Sequence, residues 1–416
     1  TSVRPQDDFF NYANGGWIRD NEIPVDQVKW GAFYILAEEN RQKLRTILED
    51  STTDHKLRDI YNAYMDEVKI ESLGTAPLAH IFDKINSLSD SKSLTEFMAI
   101  AEKFSINAPF GFTVMQDDKK SDEVIITFFQ SGLGLPDRDY YFKDDAEFEK
   151  IRSQYKIHVK NMLELAGVEN AQGKAGQIYE FEKRLANVSM TKVDARDIDK
   201  VYNKKTIAEL ETLAPNINWS EYFQNLNVPN VSAGTEVLVY QPDVLMWASE
   251  EFANTSINIW QDYFTFHTLS GYAGYLPKKY VDESFRFYGQ ELSGAKEMKP
   301  RWKRAVGAVE GALGYFLGEY FVKKYYGEEA QHKMDKMIAD LKLAYEKHIK
   351  ELDWMSAETK EKALEKLHQF DFKIGYPKKN RDYSSIKTSP DTLLENVFSA
   401  ADFEFNFMIN KLGKPT

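Results

Sequence analysis

Seven histidines are the chain's only imidazoles, and their spacing limits what they could do. A zinc hydrolase helix would carry His-Glu-x-x-His, which puts two imidazoles one turn apart on one metal ion. No such run occurs. Glu365 and His368 have the i, i+3 spacing of a di-iron carboxylate helix, and His348 with Glu351 is the same pair reversed. That chemistry needs a second correctly oriented pair and two more glutamates. The surrounding lysines instead make both pairs read as solvated helix surface. There is no Gly-x-Ser-x-Gly elbow and no phosphate-binding loop, and Gly132-Leu133-Gly134 lacks the spacing that cradles a pyrophosphate. Asp137-Arg138-Asp139 can be read as paired carboxylates around a guanidinium, or as a structural turn that fixes Arg138 between two acids. The turn is the better reading. No cysteine is present, which excludes disulfides, thiolate metal sites and a cysteine nucleophile. By its residues alone, the chain is a scaffold without a reaction centre.

The bulk composition narrows the class of protein. At 416 residues the chain is long enough for two or three domains of roughly 150 residues each. With 43% hydrophobic and 28% charged residues it reads as globular, and 27 Phe, 23 Tyr and 7 Trp predict large cores. A net charge of -12 argues against nucleic acid as a partner and against a polybasic membrane contact. No stretch approaches the ~20 apolar residues that span a bilayer. The chain begins at Thr1 rather than Met, which leaves room for a removed targeting segment. Sequons at Asn187, Asn218, Asn230 and Asn254 matter only where the source glycosylates.

The expected elements are mostly helices. The last third holds three of them. The first has apolar residues at Trp302, Ala305, Val306, Val309, Leu313, Phe316 and Tyr320, one face of a helix. Gly307, Gly311, Gly314 and Gly318 form a ridge along it. Each glycine costs a helix about 1 kcal/mol against alanine. The ridge therefore predicts another element packed closely against it. A second helix runs through Met334, Ile338, Leu341 and Ile349, and a third opens at the N-cap Ser356 and stops before Gly375-Tyr376-Pro377. Upstream, a short aromatic helix is expected to end at Gly15-Gly16, followed by helices near 30–47, 55–72, 76–87 and 94–105. Residues 108–115 and 123–130, β-branched and aromatic around a polar turn, predict a hairpin. Helices are expected at 144–168, 170–188 and after Thr206, with a short strand at Val237–Tyr240 and aromatic helices through 243–270.

Several of these stretches, in order, resemble the neprilysin-like (M13) family of zinc metallopeptidases. They are Asp8-Phe9-Phe10-Asn11-Tyr12-Ala13-Asn14-Gly15-Gly16-Trp17, the loop Leu133–Tyr141, Tyr202-Asn203-Lys204, Arg301-Trp302-Lys303-Arg304, and Leu352–Lys360 with Ile374-Gly375-Tyr376-Pro377. The resemblance spans almost the whole chain. Asn14 stands where vertebrate members carry cysteine, which implies a disulfide-free bacterial type. Lys29 stands where the vertebrate enzyme for which the family is named has an arginine that helps bind a substrate carboxylate. A second arginine of that kind, expected near Ala37, is absent.

The resemblance implies a mainly α fold, a large multi-helix lobe with a small β-hairpin, followed by helices that return to pack against a zincin catalytic domain. The implied division is an opening segment at 1–45, a helical lid at 46–300, and return helices with a linker at 301–416. It implies a Zn2+ cofactor whose ligands are not in this chain, with the His-Glu-x-x-His half beyond residue 416. The expected partners are peptide substrates and that C-terminal half, the expected substrate-binding residue is Lys29, and the expected location is extracytoplasmic. Asn410–Thr416 reads as a flexible basic linker. The competing expectation is a stand-alone, non-catalytic helical protein that binds peptides or a partner.

Overall fold

The computed structural model describes residues 3–415; Thr1, Ser2 and Thr416, which the expected opening segment and linker include, lie outside the described residues. The hairpin forms as expected. Strand β1 (Phe110–Asp117) pairs antiparallel with β2 (Lys120–Gln130), placing Phe112 opposite Phe128. Strands β3 (Lys204–Thr206) and β4 (Glu236–Val239) extend it to a sheet of order β1-β2-β4-β3, with β4 parallel to β2. Parallel pairing needs a long crossover. Here it carries the helices Ala146–Leu165 and Ala171–Val188.

The helices follow their sequence patterns with three informative departures. The first helix, Phe9–Asp20, runs straight through Gly15-Gly16 instead of stopping there. Its Asp8 cap accepts the Asn11 N–H at 2.9 Å, and the chain turns extended only at Asn21. Glycine weakens a helix without ending it. The 55–72 stretch divides into His55–Met65 and Glu67–Leu73, because the Asp66 side chain caps a new start by accepting the Lys69 N–H. The aromatic helices expected through 243–270 form as Pro242–Asn254 and Ile257–Tyr272. A helix at Leu393–Ile409, which no sequence signal above singles out, closes the chain.

Two apolar cores organise these elements. The larger gathers residues from Leu78 to Phe287, including Phe97, Phe110, Phe128, Trp219, Trp260 and Phe264. The second joins distant parts of the chain: Leu44, Ile47 and Leu48, then Leu57, Ile60 and Tyr64, with Ala305, Val309, Leu313 and Leu317 of the helix Arg301–Tyr325. The helix Leu393–Ile409 belongs to both. Leu394, Phe398, Phe405 and Ile409 enter the larger core, while Leu393 and Ala400 enter the second. Tyr275 also packs against both.

The glycine ridge is uncovered. A Cβ built on Gly307, Gly311, Gly314 or Gly318 would meet nothing within 4 Å among the described residues. The expected close neighbour is absent there, and the helix kinks at Leu313, between Gly311 and Gly314. Further apolar surface stands open on two other helices. The helix Glu328–Glu351 has no buried residue, and Met337, Leu341 and Tyr345 are exposed. Phe9, Phe10 and Trp17 of the first helix are exposed too.

Candidate functional site

Lys29 is exposed, in the irregular segment between the helices Phe9–Asp20 and Ala32–Leu48. That segment is tied to the start of the helix Arg301–Tyr325. The Glu297 N–H donates to the Val25 carbonyl at 3.0 Å, and Lys303 Nζ lies 2.8 Å from Asp26 and 2.6 Å from Glu38. Burial alone would lower the Lys303 ammonium, but these two acids outweigh it and raise its pKa. Arg301 Nε donates to the Tyr64 carbonyl at 2.8 Å, and its Nη1 reaches Glu67 at 3.2 Å. The first turn of this helix is therefore cationic, opposite to what its dipole favours, and ion pairs with three other segments offset the conflict. Among the described residues no ion pair reaches Lys299. Burial, with Arg41 and Lys303 nearby, lowers its pKa. The Arg301–Arg304 stretch thus positions the Lys29 segment.

The loop around Leu133–Tyr141 is held by a buried polar cluster. Glu182, inaccessible to solvent, accepts from Tyr141 Oη at 2.7 Å, Tyr155 Oη at 2.8 Å and His267 Nε2 at 2.8 Å. Asn107 Nδ2 faces His267 Nδ1 at 3.3 Å and also donates to the Leu133 carbonyl, while Asn107 Oδ1 accepts the Gly132 N–H at 2.9 Å. An amide donor facing Nδ1 makes that nitrogen the acceptor and leaves Nε2 to donate to Glu182. Gly132 has φ +88°, and a Cβ there would sit 2.7 Å from Pro109 Cα. Sequence reasoning missed Glu182 and His267 because their partners are far along the chain.

Arg138 is not fixed between its two acids. Asp137 pairs with Lys192 at 2.6 Å and Asp139 with Lys143 at 3.0 Å. Arg138 Nε instead donates to the Ala186 carbonyl at 3.3 Å, near the end of the helix Ala171–Val188. An acceptor at a helix C-terminus suits a cation as well as a carboxylate does.

The histidines do not gather around a common point. Among the described residues, no three His, Cys, Asp or Glu side chains converge to hold a metal ion. His348, Glu351, Glu365 and His368 are exposed, and Glu365 pairs with Lys362. His158 donates its ring to Glu283 at 2.9 Å, and burial lowers its pKa. The residues present do not fit a zinc site.

The profile of peptidase family M13 matches residues 5–377. The chain belongs to that family. Endothelin-converting enzyme 1 of Bos taurus is 30% identical over 99% of this chain, as is its Homo sapiens counterpart. Among solved structures, the Mycobacterium tuberculosis zinc metalloprotease ZMP1 in complex with an inhibitor superposes with a TM-score of 0.91 at 30% identity, over 100% of this chain. PepO from Lactobacillus rhamnosis gives 0.88 at 22%, a likeness of fold. The M13 chain described here spans 58% of the bovine relative and 64% of the ZMP1 chain. Within the family, the mainly α architecture and small sheet are as the sequence implied. No helix among the described residues is long and apolar enough to cross a membrane.

Proposed function

We propose that this chain is the N-terminal, substrate-enclosing portion of a zinc metalloendopeptidase that hydrolyses peptides. The observation that carries the reading is the M13 match across residues 5–377. On this reading Zn2+ and its ligands belong to sequence following residue 416, and the uncovered glycine ridge and exposed helix faces are where that catalytic half packs. The division into an opening segment, a lid and return helices belongs to the same proposal. The second core, which joins Leu44–Ile70 to the helix Arg301–Tyr325, would couple the start of the proposed 46–300 lid to the proposed return helices at 301–416. An extracytoplasmic location is the setting we propose for such an enzyme.

Lys29 is the residue proposed to read a substrate carboxylate. Its exposure and its anchored segment support that role, since a cation on a fixed backbone can meet a peptide terminus without first reordering a loop. The experiment compares this chain alone with the protein that includes the following sequence, measuring bound zinc and hydrolysis of a mixed peptide pool. Zinc and cleavage are expected only with the longer protein. Stoichiometric zinc on the short chain would overturn the reading, and peptide binding by a longer protein without zinc-dependent cleavage would favour the stand-alone binder. In the longer protein, Lys29→Ala should raise KM for peptides with a free C-terminus by about tenfold, the scale of one lost charged contact, and leave kcat and amidated peptides unchanged.

A further inference from the structure

Strand β1 is an edge of the sheet, and its outward hydrogen-bonding groups are covered over only part of their length. The Phe112 N–H points away from β2, since it donates to Glu102 Oε2 at 3.0 Å. Backbone groups in an antiparallel ladder alternate with a period of two. Val114 and Gln116 therefore turn their N–H and carbonyl groups the same way as Phe112. The helix Leu393–Ile409 meets this edge at Phe112 and Thr113. Phe405 lies 6.3 Å from the Phe112 ring, and Thr113 Oγ1 donates to Met408 Sδ at 3.4 Å. The helix then ends at Ile409. Among the described residues, no other segment hydrogen-bonds to the outward backbone of Val114 or Gln116. Val114 is nevertheless buried, and an unpaired backbone group out of water costs about as much as a lost hydrogen bond.

Space remains beside that open stretch. A groove of about 360 Å³ has Val114, Gln116 and Val124 on one side and Lys411 and Lys414 on the other. Val124 is paired with Gln116, so the three sheet residues share one face of the hairpin. The opposite wall is a turn in which the Lys414 N–H donates to the Lys411 carbonyl at 3.0 Å, with Gly413 at φ +72°. Such a turn holds its first and fourth Cα within about 7 Å, which sets the two lysines side by side. No ion pair reaches either of them among the described residues, and the Lys411 ammonium lies over the Phe407 ring at 5.1 Å. The acids at this end of the hairpin have partners elsewhere. Asp117 accepts from Tyr202 Oη at 2.9 Å and pairs with Lys204 at 3.2 Å. Asp118 accepts from Tyr240 Oη at 2.6 Å, and Glu123 pairs with Lys120 at 3.2 Å. Asp122 is exposed at the tip and does not line the groove.

We propose that the open edge of β1 at 114–116 binds an extended acidic peptide by strand addition, with Lys411 and Lys414 holding its carboxylates. An added strand supplies the hydrogen-bond partners that Val114 and Gln116 lack. Its alternate side chains lie against Val114 and Val124. The lysine turn, unpaired in a chain of net charge -12, selects carboxylates over neutral side chains. A volume near the low end of the roughly 300–1,000 Å³ of ligand pockets suits a short extended segment rather than a folded partner. Every group in the site belongs to this chain, so the proposal does not rest on zinc or on peptide cleavage.

The test titrates the full-length protein with a terminally blocked peptide of about six residues alternating valine with glutamate, and reads affinity and amide hydrogen exchange. Binding should raise protection of the Val114 and Gln116 amides and should weaken with added salt. The glutamine version of the peptide should bind about tenfold more weakly, and so should the glutamate peptide to the double variant Lys411→Ser, Lys414→Ser. A glutamate peptide N-methylated along its backbone keeps its charges but loses its donors, and it should not bind. No binding, equal binding of the glutamate and glutamine peptides, binding undiminished by N-methylation, or protection that rises only elsewhere overturns the proposal. Protection of both amides before any peptide is added also overturns it, and assigns the edge to the protein's own following sequence. If the double variant does not fold, the peptide series on the wild type decides.

Discussion

Removing the Glu182 carboxylate would strand three donors in a space that water does not reach. Glu182→Ala should therefore destabilise the protein by about 3 kcal/mol or more, read as a fall in urea midpoint at constant m. Glu283 is held differently. Burial would raise its carboxyl, but hydrogen bonds from His158, Arg286 and Asn161 outweigh burial and hold it down to about 2. Its folded pKa is thus below its unfolded value, so its contribution is present above about pH 4.5 and is lost as the pH falls toward 2. Glu283→Gln should cost about 2 kcal/mol at neutral pH and flatten the stability curve across that acid window, as measured by denaturant titration at stepped pH. Neither acid was legible in the sequence. Glu182 sits in an amphipathic helix between charged neighbours and looks like surface, and Tyr141, Tyr155 and His267 lie 41, 27 and 85 positions away. Lys29 is singled out only through resemblance, because an exposed lysine in a loop carries no spacing of its own.

Among the elements, period and caps were read well where they were local. The hairpin was visible because β-branched and aromatic residues flank a polar turn, and Ser356 was visible as a cap because its hydroxyl accepts the Thr359 N–H three residues on. The split at Asp66 was not, since a single capping residue leaves the apolar period intact on both sides. The strand pairing of β4 with β2 was equally hidden, because the register of Ile126 with Val237 depends on the fold of everything between them. The glycine ridge gives the sharpest test at this scale. Gly307 is exposed with free space at its Cβ, so Gly307→Ala should stabilise this chain by up to about 1 kcal/mol. Thermal unfolding of this chain reads that gain. If the catalytic half packs there as proposed, the same change in the longer protein should forfeit the gain.

For the molecule as a whole, the shared helix should make the two cores unfold as coupled rather than separate units. Phe398→Ala removes a ring that meets Phe104, Tyr272 and His80. It should cost about 3 kcal/mol and split a single calorimetric transition into two. The second core has a further consequence. Its halves, residues up to Ile70 and from Ala305 onward, are separated by the Leu78–Phe287 part of the larger core. On a ribosome making roughly 5–20 residues per second, the apolar faces of Leu44–Ile70 wait on the order of 10–50 s for their partner to emerge. The Leu78–Phe287 part of the larger core can collapse in that interval, before the helix Leu393–Ile409 arrives to complete it. The nascent chain thus passes through a stage in which its middle has collapsed while its beginning still needs protection from aggregation.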